Sequence, residues 1–243
     1  MTENSTPRHL ENKESFIHVP KLFRYDDYTE FEIFLYAVIE GLSRNPIGAT
    51  QIGVNQLIAL MGMYENTKLK SKVKGTLESL RKLELIEIYE DNLLTKKVEK
   101  IKPANSYFIR TKEKEREIGF TKVFYEDFYK ILTLDNKYKM KIFSVYFEIM
   151  SYIYYTNSNS RVAYPNIDTI AKATGIDRKS IMKYSKILME NEILICLTVS
   201  IGKKNKNFYA RWIHKEEIVQ QIKHEAKNDG GIIKPVWEQN EAA

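Results

Sequence analysis

Two stretches of the chain carry one pattern: Ile167-Asp-Thr-Ile-Ala-Lys-Ala-Thr-Gly-Ile176 and, earlier, Val54-Asn-Gln-Leu-Ile-Ala-Leu-Met-Gly-Met63. Aligning Gly62 with Gly175 places Leu57 on Ile170 and Met63 on Ile176. Downstream, Leu80-Arg-Lys-Leu-Glu-Leu-Ile-Glu-Ile88 falls on Leu188-Met-Glu-Asn-Glu-Ile-Leu-Ile-Cys196. Upstream, each copy has a long apolar helical pattern, Glu30 to Leu42 in the first and Asn136 to Tyr155 in the second. Identity between the copies is low. The repeat lies in the order of the blocks, and such a period marks a duplicated structural unit. A short insertion at Tyr64 to Leu69 distinguishes the first copy.

Working outward, each copy resolves into elements. Thr29 and Glu32 form a capping box that opens a helix with Phe31, Phe34, Leu35, Val38 and Ile39 on one side. Asn45-Pro-Ile-Gly48 ends it. An extended piece at Thr50 to Gly53 leads into a short helix, which Gly62 stops in a left-handed conformation. Asn66 or Thr67 caps the next helix, running to about Leu83. Strands follow at Leu85 to Tyr89 and Ser106 to Arg110. The second copy repeats the order: an extended piece at Arg161 to Tyr164, a helix ending at Gly175, and a helix capped by Asp177. A strand at Ile193 to Ile201, a turn over 202–207 and a strand at Phe208 to Ile213 complete it. Helix, strand, helix, tight turn, helix, hairpin is the winged helix-turn-helix order. The expected fold class is therefore α+β, mainly helical, with two tandem winged helix-turn-helix units. The expected organisation is a flexible segment 1–15, domain 1 at 16–113, domain 2 at 114–217, and a C-terminal helix with a flexible tail at 218–243. The mixed-charge run Lys112 to Glu117 is the expected joint.

Composition narrows the function. Of 243 residues, 43% are hydrophobic, and 38 Lys and Arg face 32 Asp and Glu, a net charge of +6. That excess permits a polyanionic partner. A single cysteine, Cys196, excludes an internal disulfide and a cysteine-based zinc site. His9, His18, His214 and His224 show no ligand spacing, so no metal is expected. No glycine-rich phosphate loop and no nucleophile motif occur, so neither an enzyme nor a cofactor is expected. The apolar run Ile142 to Tyr155 is short and contains Glu148, which reads as a buried helix and not a bilayer span. Met1 to Ser15 is polar, and the cytoplasm is the expected compartment.

In a helix-turn-helix the second helix offers one face to the major groove. In the second copy Ile181, Tyr184, Ser185 and Leu188 form the inner side. Lys179, Lys183 and Lys186 lie opposite, with Arg178 on the flank. In the first copy Leu69, Val73, Leu77 and Leu80 face inward, and Lys68, Ser71, Lys72 and Gly75 lie largely opposite. The hairpins add Lys96 and Lys97, with Lys100 and Lys102, in the first unit and Lys203, Lys204 and Lys206 in the second. Lysine is a compact cation suited to phosphate. The plainer readings are solvated helix faces and lysines that blunt sheet edges. Gly75 admits two readings as well: close approach of the backbone to a phosphate, or a tolerated defect.

Phe16-Ile-His-Val-Pro-Lys-Leu-Phe23, followed by Phe31-Glu-Ile-Phe-Leu-Tyr-Ala37, is similar to the opening of replication initiators from Gram-positive plasmids and phages. Leu83-Glu-Leu-Ile-Glu-Ile88 resembles the helix-to-wing junction of winged-helix regulators. The resemblance implies a double-stranded DNA-binding protein that recognises repeated origin sites and contacts replication proteins. Two similar units in one chain can act as a built-in pseudo-dimer or as one half of a true homodimer. Tandem-unit transcription regulators and accessory DNA-binding proteins of conjugative plasmids share the architecture. A winged-helix module that binds protein is a further alternative.

Overall fold

The computed structural model describes residues 15–24, 28–112, 119–153, 161–202 and 204–238. The fold is α+β, and the chain forms two compact units that divide between Met140 and Lys141.

The first unit contains β1 (Phe16–Pro20), α1 (Glu30–Leu42), β2 (Thr50–Gly53), α2 (Val54–Leu60), α3 (Thr67–Lys82), β3 (Ile86–Tyr89), β4 (Ser106–Thr111), β5 (Phe120–Phe124) and α4 (Tyr125–Thr133). The capping box at α1 is present. Glu32 accepts from the Thr29 N–H at 2.9 Å, and Thr29 Oγ1 accepts from the Glu32 N–H at 3.2 Å. The other carboxylate oxygen of Glu32 accepts from Ser79 Oγ at 2.9 Å, tying α3 to α1. Residues 33–39 of α1 are buried on every side, so it is the core helix of this unit. Strands β2, β4 and β3 form an antiparallel sheet with β4 in the middle. The outer edge of β3 is covered by the chain's own return: Val98 N–H bonds Ile88 O at 3.0 Å, and Glu90 N–H bonds Lys96 O at 2.9 Å. Arg81 holds that segment through Val98 O at 2.7 Å.

A domain boundary at 113/114 is corrected by β5. It pairs antiparallel with β1, from Phe16 opposite Phe124 to Pro20 opposite Phe120. Ile17, Val19, Thr121 and Val123 alternate inward and are buried. The ladder sets the inward side chains of the two strands on one shared face. Tyr125 N–H also bonds Ser15 O at 3.0 Å, and Tyr125 Oη bonds Gly41 O at 3.1 Å. The segment after the expected joint is thus part of the first unit. The apolar pattern from Asn136 is shorter than expected, forming α5 (Lys139–Ser151), which starts at the junction of the units.

The second unit continues with β6 (Val162–Ala163), α6 (Ile167–Thr174), α7 (Arg178–Glu190), β7 (Leu194–Ile201), β8 (Lys204–Arg211), α8 (Lys215–Asp229) and β9 (Ile232–Pro235). Its sheet order is β6-β8-β7-β9, all antiparallel. Gly175 caps α6 in the left-handed region, φ 67°, with its N–H on Ala171 O.

Two further expectations are corrected here. The turn over 202–207 is in fact mostly strand, because β8 pairs with β7 from Ile201 opposite Lys204 onward. Polar side chains hold it. Thr198 Oγ1 bonds Asn207 Oδ1 at 3.0 Å, and Ser200 Oγ bonds Asn205 Oδ1 at 2.7 Å, each pair directly opposite across the ladder. The expected C-terminal helix is present as α8, but the chain after it is not a tail up to residue 238. Ile218, Ile222 and Ala226 of α8 join Val162, Ile195, Val199, Phe208 and Ala210 in one core. Gly230 ends α8 at φ 64°, and β9 then lies along β7. At Gly231 a Cβ would meet Val199 Cγ1 at 2.6 Å, so only glycine admits the strand this closely. Val236 beyond it is fully buried. Residues 1–14 and 239–243, of the expected flexible ends, lie outside the described residues.

Candidate nucleic-acid interface

In the second unit the candidate surface is built on α7. Asp177 starts the helix by accepting the Ser180 N–H at 2.9 Å, and the hydrogen bonds from Ser180 hold its carboxyl below the usual range. Ile181, Tyr184, Ser185 and Leu188 are buried, which fixes the helix's rotation. Lys179, Lys183 and Lys186 are exposed on the other side. Arg178 is exposed and ion-paired with Asp168 of α6, and Lys186 lies 3.7 Å from Glu190 one turn on. Lys204 is exposed at the start of β8. Lys206 is engaged: it pairs with Glu225 of α8 and lies 4.9 Å and 5.0 Å from the ring centres of Tyr164 and Phe208. Lys203 lies outside the described residues.

In the first unit Lys68, Ser71 and Lys72 are exposed on α3, while Val73, Leu77 and Leu80 are buried. Leu69 is only half-buried, at the edge of the expected inner face. Lys72 Nζ sits 4.3 Å from the Phe31 ring centre. The flanking Lys70 and Lys74 pair with Glu65 and Glu78. Gly75 has no atom within 4 Å of where a Cβ would stand, so no close approach within the described protein explains it. Gly75→Ala is accordingly expected to stabilise the chain by about 1 kcal/mol in denaturant unfolding. An unchanged or lower midpoint would count against an open helix face there.

The first hairpin departs from the pattern of free basic tips. Lys96 pairs with Glu90, and Lys97 donates to Glu87 Oε1 at 3.2 Å. Glu87 also accepts from Arg110 Nε and Nη2, at 2.8 Å and 2.6 Å, and from Tyr89 Oη at 2.9 Å. Burial opposes its ionisation, but the bonds from Arg110, Tyr89 and Lys97 outweigh that and draw its carboxyl down to about 2. A carboxyl lowered on folding stabilises the native state fully above its unfolded value and loses that contribution as pH falls through the folded one. Amide protection of β3 and β4 is therefore expected to weaken between pH 4.5 and about 2. The weakening should be absent in Glu87→Gln, and equal profiles for the two proteins would refute the assignment.

The periodicity that singles out the cations carries no sign of their acidic partners. The signal was there for one: Glu87 and Arg110 are directly opposite across the β3–β4 ladder. Among the described residues, no helix is long and apolar enough to cross a membrane, and no group of three or more His, Cys, Asp or Glu could hold a metal ion. No family model matches the chain, and no curated protein resembles it closely enough to count as a match.

Proposed function

We propose that the chain is a non-enzymatic double-stranded DNA-binding protein made of two tandem winged helix-turn-helix units, and that it serves as the replication initiator of a plasmid or phage. The observation that carries the DNA reading is α7: a helix entered through a left-handed glycine turn, buried on one side, with Lys179, Lys183 and Lys186 exposed on the other. The winged-helix reading draws support from the two sheets. In each, the short strand before the paired helices lies next to the last hairpin strand, as β2-β4-β3 and β6-β8-β7. The initiator reading rests on the resemblance of Phe16 to Phe23 and Phe31 to Ala37. It puts the protein's work in the cytoplasm, at repeated origin sites, with replication proteins as partners.

The test is equilibrium binding of the full chain to random-sequence duplex. Lys179→Ala with Lys183→Ala should weaken binding by tenfold or more. Stability should change by no more than about 0.5 kcal/mol for each surface substitution. A double variant that binds like the parent would remove α7 from the interface.

A further inference from the structure

An open cleft of about 760 Å³ lies in the first unit between the C-terminal half of α1, the end of β4 and the β1–β5 ribbon. That volume is in the range of small-molecule sites. Three cations line it: Arg44, Arg110 and Lys112. The two acids of the cleft lie deeper. The side chains of Glu40 and Glu87 are 12% and 13% exposed, against 36%, 41% and 29% for the three cations. The acids act as supports. Glu87 fixes Arg110 through Nε and Nη2. Glu40 accepts from Arg44 Nη2 at 3.4 Å and from Thr111 Oγ1, and the same Arg44 nitrogen donates to His18 Nδ1 at 3.0 Å. Among the described residues, these bonds leave Nη1 of both guanidiniums without a hydrogen-bond partner. Lys112 is 3.9 Å or more from the nearest carboxylates, Glu84 and Glu87. Pro20, Ile47 and Phe120 supply an apolar wall.

Guanidiniums held in place by carboxylates beneath, each with its Nη1 left open, suit a tetrahedral oxyanion, because hydrogen bonds from a charged N–H to phosphate are short and strong. A flat ring can lie against the apolar wall. We propose that this cleft binds a nucleotide, its phosphate on Arg44, Arg110 and Lys112 and its base toward Phe120. The chemistry is shared by a free nucleotide and by one unit of a nucleic-acid strand. The proposal stands apart from the α7 surface.

The experiment is calorimetric titration of the full chain with adenosine monophosphate, adenosine and inorganic phosphate. The monophosphate should bind, inorganic phosphate more weakly, and adenosine not at all. Arg110→Lys with Lys112→Ala, which keeps a cation opposite Glu87, should lower monophosphate affinity at least tenfold with an unchanged melting temperature. If that pair is unstable, Lys112→Glu alone should give the same loss. No heat with either phosphate compound at millimolar concentration, or undiminished affinity in a folded variant, would overturn the proposal. Saturating duplex decides the source. Monophosphate displaced by duplex, with duplex affinity lowered in the variant, assigns the cleft to a strand; monophosphate unaffected by duplex assigns it to the free nucleotide. Nucleotide binding without any duplex binding would uphold the cleft and sink only the DNA-binding reading.

Discussion

Gly175→Val is expected to destabilise the second unit by about 2 kcal/mol or more. Gly175 sits at φ 67°, ψ 10°, and its N–H closes the end of α6 on Ala171 O. Left-handed backbone costs an ordinary L residue roughly 1–2 kcal/mol, and a β-branched one more. Crowding plays no part, since nothing lies within 4 Å of a Cβ there. The whole effect is therefore conformational, and the order Gly, Asn, Ala, Val should follow tolerance of that region. For a unit of this size about 2 kcal/mol lowers the melting temperature by roughly 10 °C. A valine variant as stable as the parent would mean that the turn relaxes without cost. The turn sets how α7 follows α6, so loss of duplex binding should track loss of fold in this series. Lys179→Ala with Lys183→Ala should separate the two.

Duplex affinity is expected to fall about a thousandfold or more as salt rises from about 50 to 200 mM. Each phosphate neutralised releases condensed counterions, and the logarithmic slope is about −0.9 per contact, so on the order of six contacts suffice for that loss. If the chain binds duplex DNA, exposed lysines without an ion pair in their own unit are the first candidates for those contacts. Lys68, Lys179 and Lys204 are exposed, whereas Lys96, Lys97 and Lys206 each hold a carboxylate of their own unit. Moving those three onto phosphates would first break an ion pair. Removing them should therefore flatten the salt slope less than removing Lys68, Lys179 and Lys204. Affinity indifferent to salt would refute DNA binding by these surfaces. A slope carried mainly by Lys96 and Lys97 would refute the ranking.

Much of the architecture is written in local pattern. The capping box at Thr29, the left-handed Gly175 and the Asp177 cap are each decided within a few residues, and all are present. So is the buried side of α7. What sequence missed depended on distant partners. Phe120 to Phe124 is short, and its buried alternation has meaning only beside β1. Asn205 and Asn207 read as turn residues, but in place they bond Ser200 and Thr198 across a ladder. Gly230-Gly231 reads as a break. The first ends a helix and the second lets a strand close on Val199. For the candidate site, helix periodicity separated the exposed lysines from the buried face. It carried no information on Glu90, Glu87 and Glu225, which decide how free the hairpin cations are.

The pairing of β1 with β5 also bears on the order in which the protein acquires its fold. The strands join positions about a hundred residues apart, among the most costly loops to close in a domain of this size. During synthesis β1 emerges first, and its hydrogen-bonding edge waits for its partner until Phe120 to Phe124 leaves the ribosome. The sheet β2-β4-β3 and the helices above it need no such delay. The ribbon is thus expected to form late, its amides gaining protection in pulse-labelled refolding after those of β3 and β4. Substitutions in it should chiefly speed unfolding and leave the folding rate little changed.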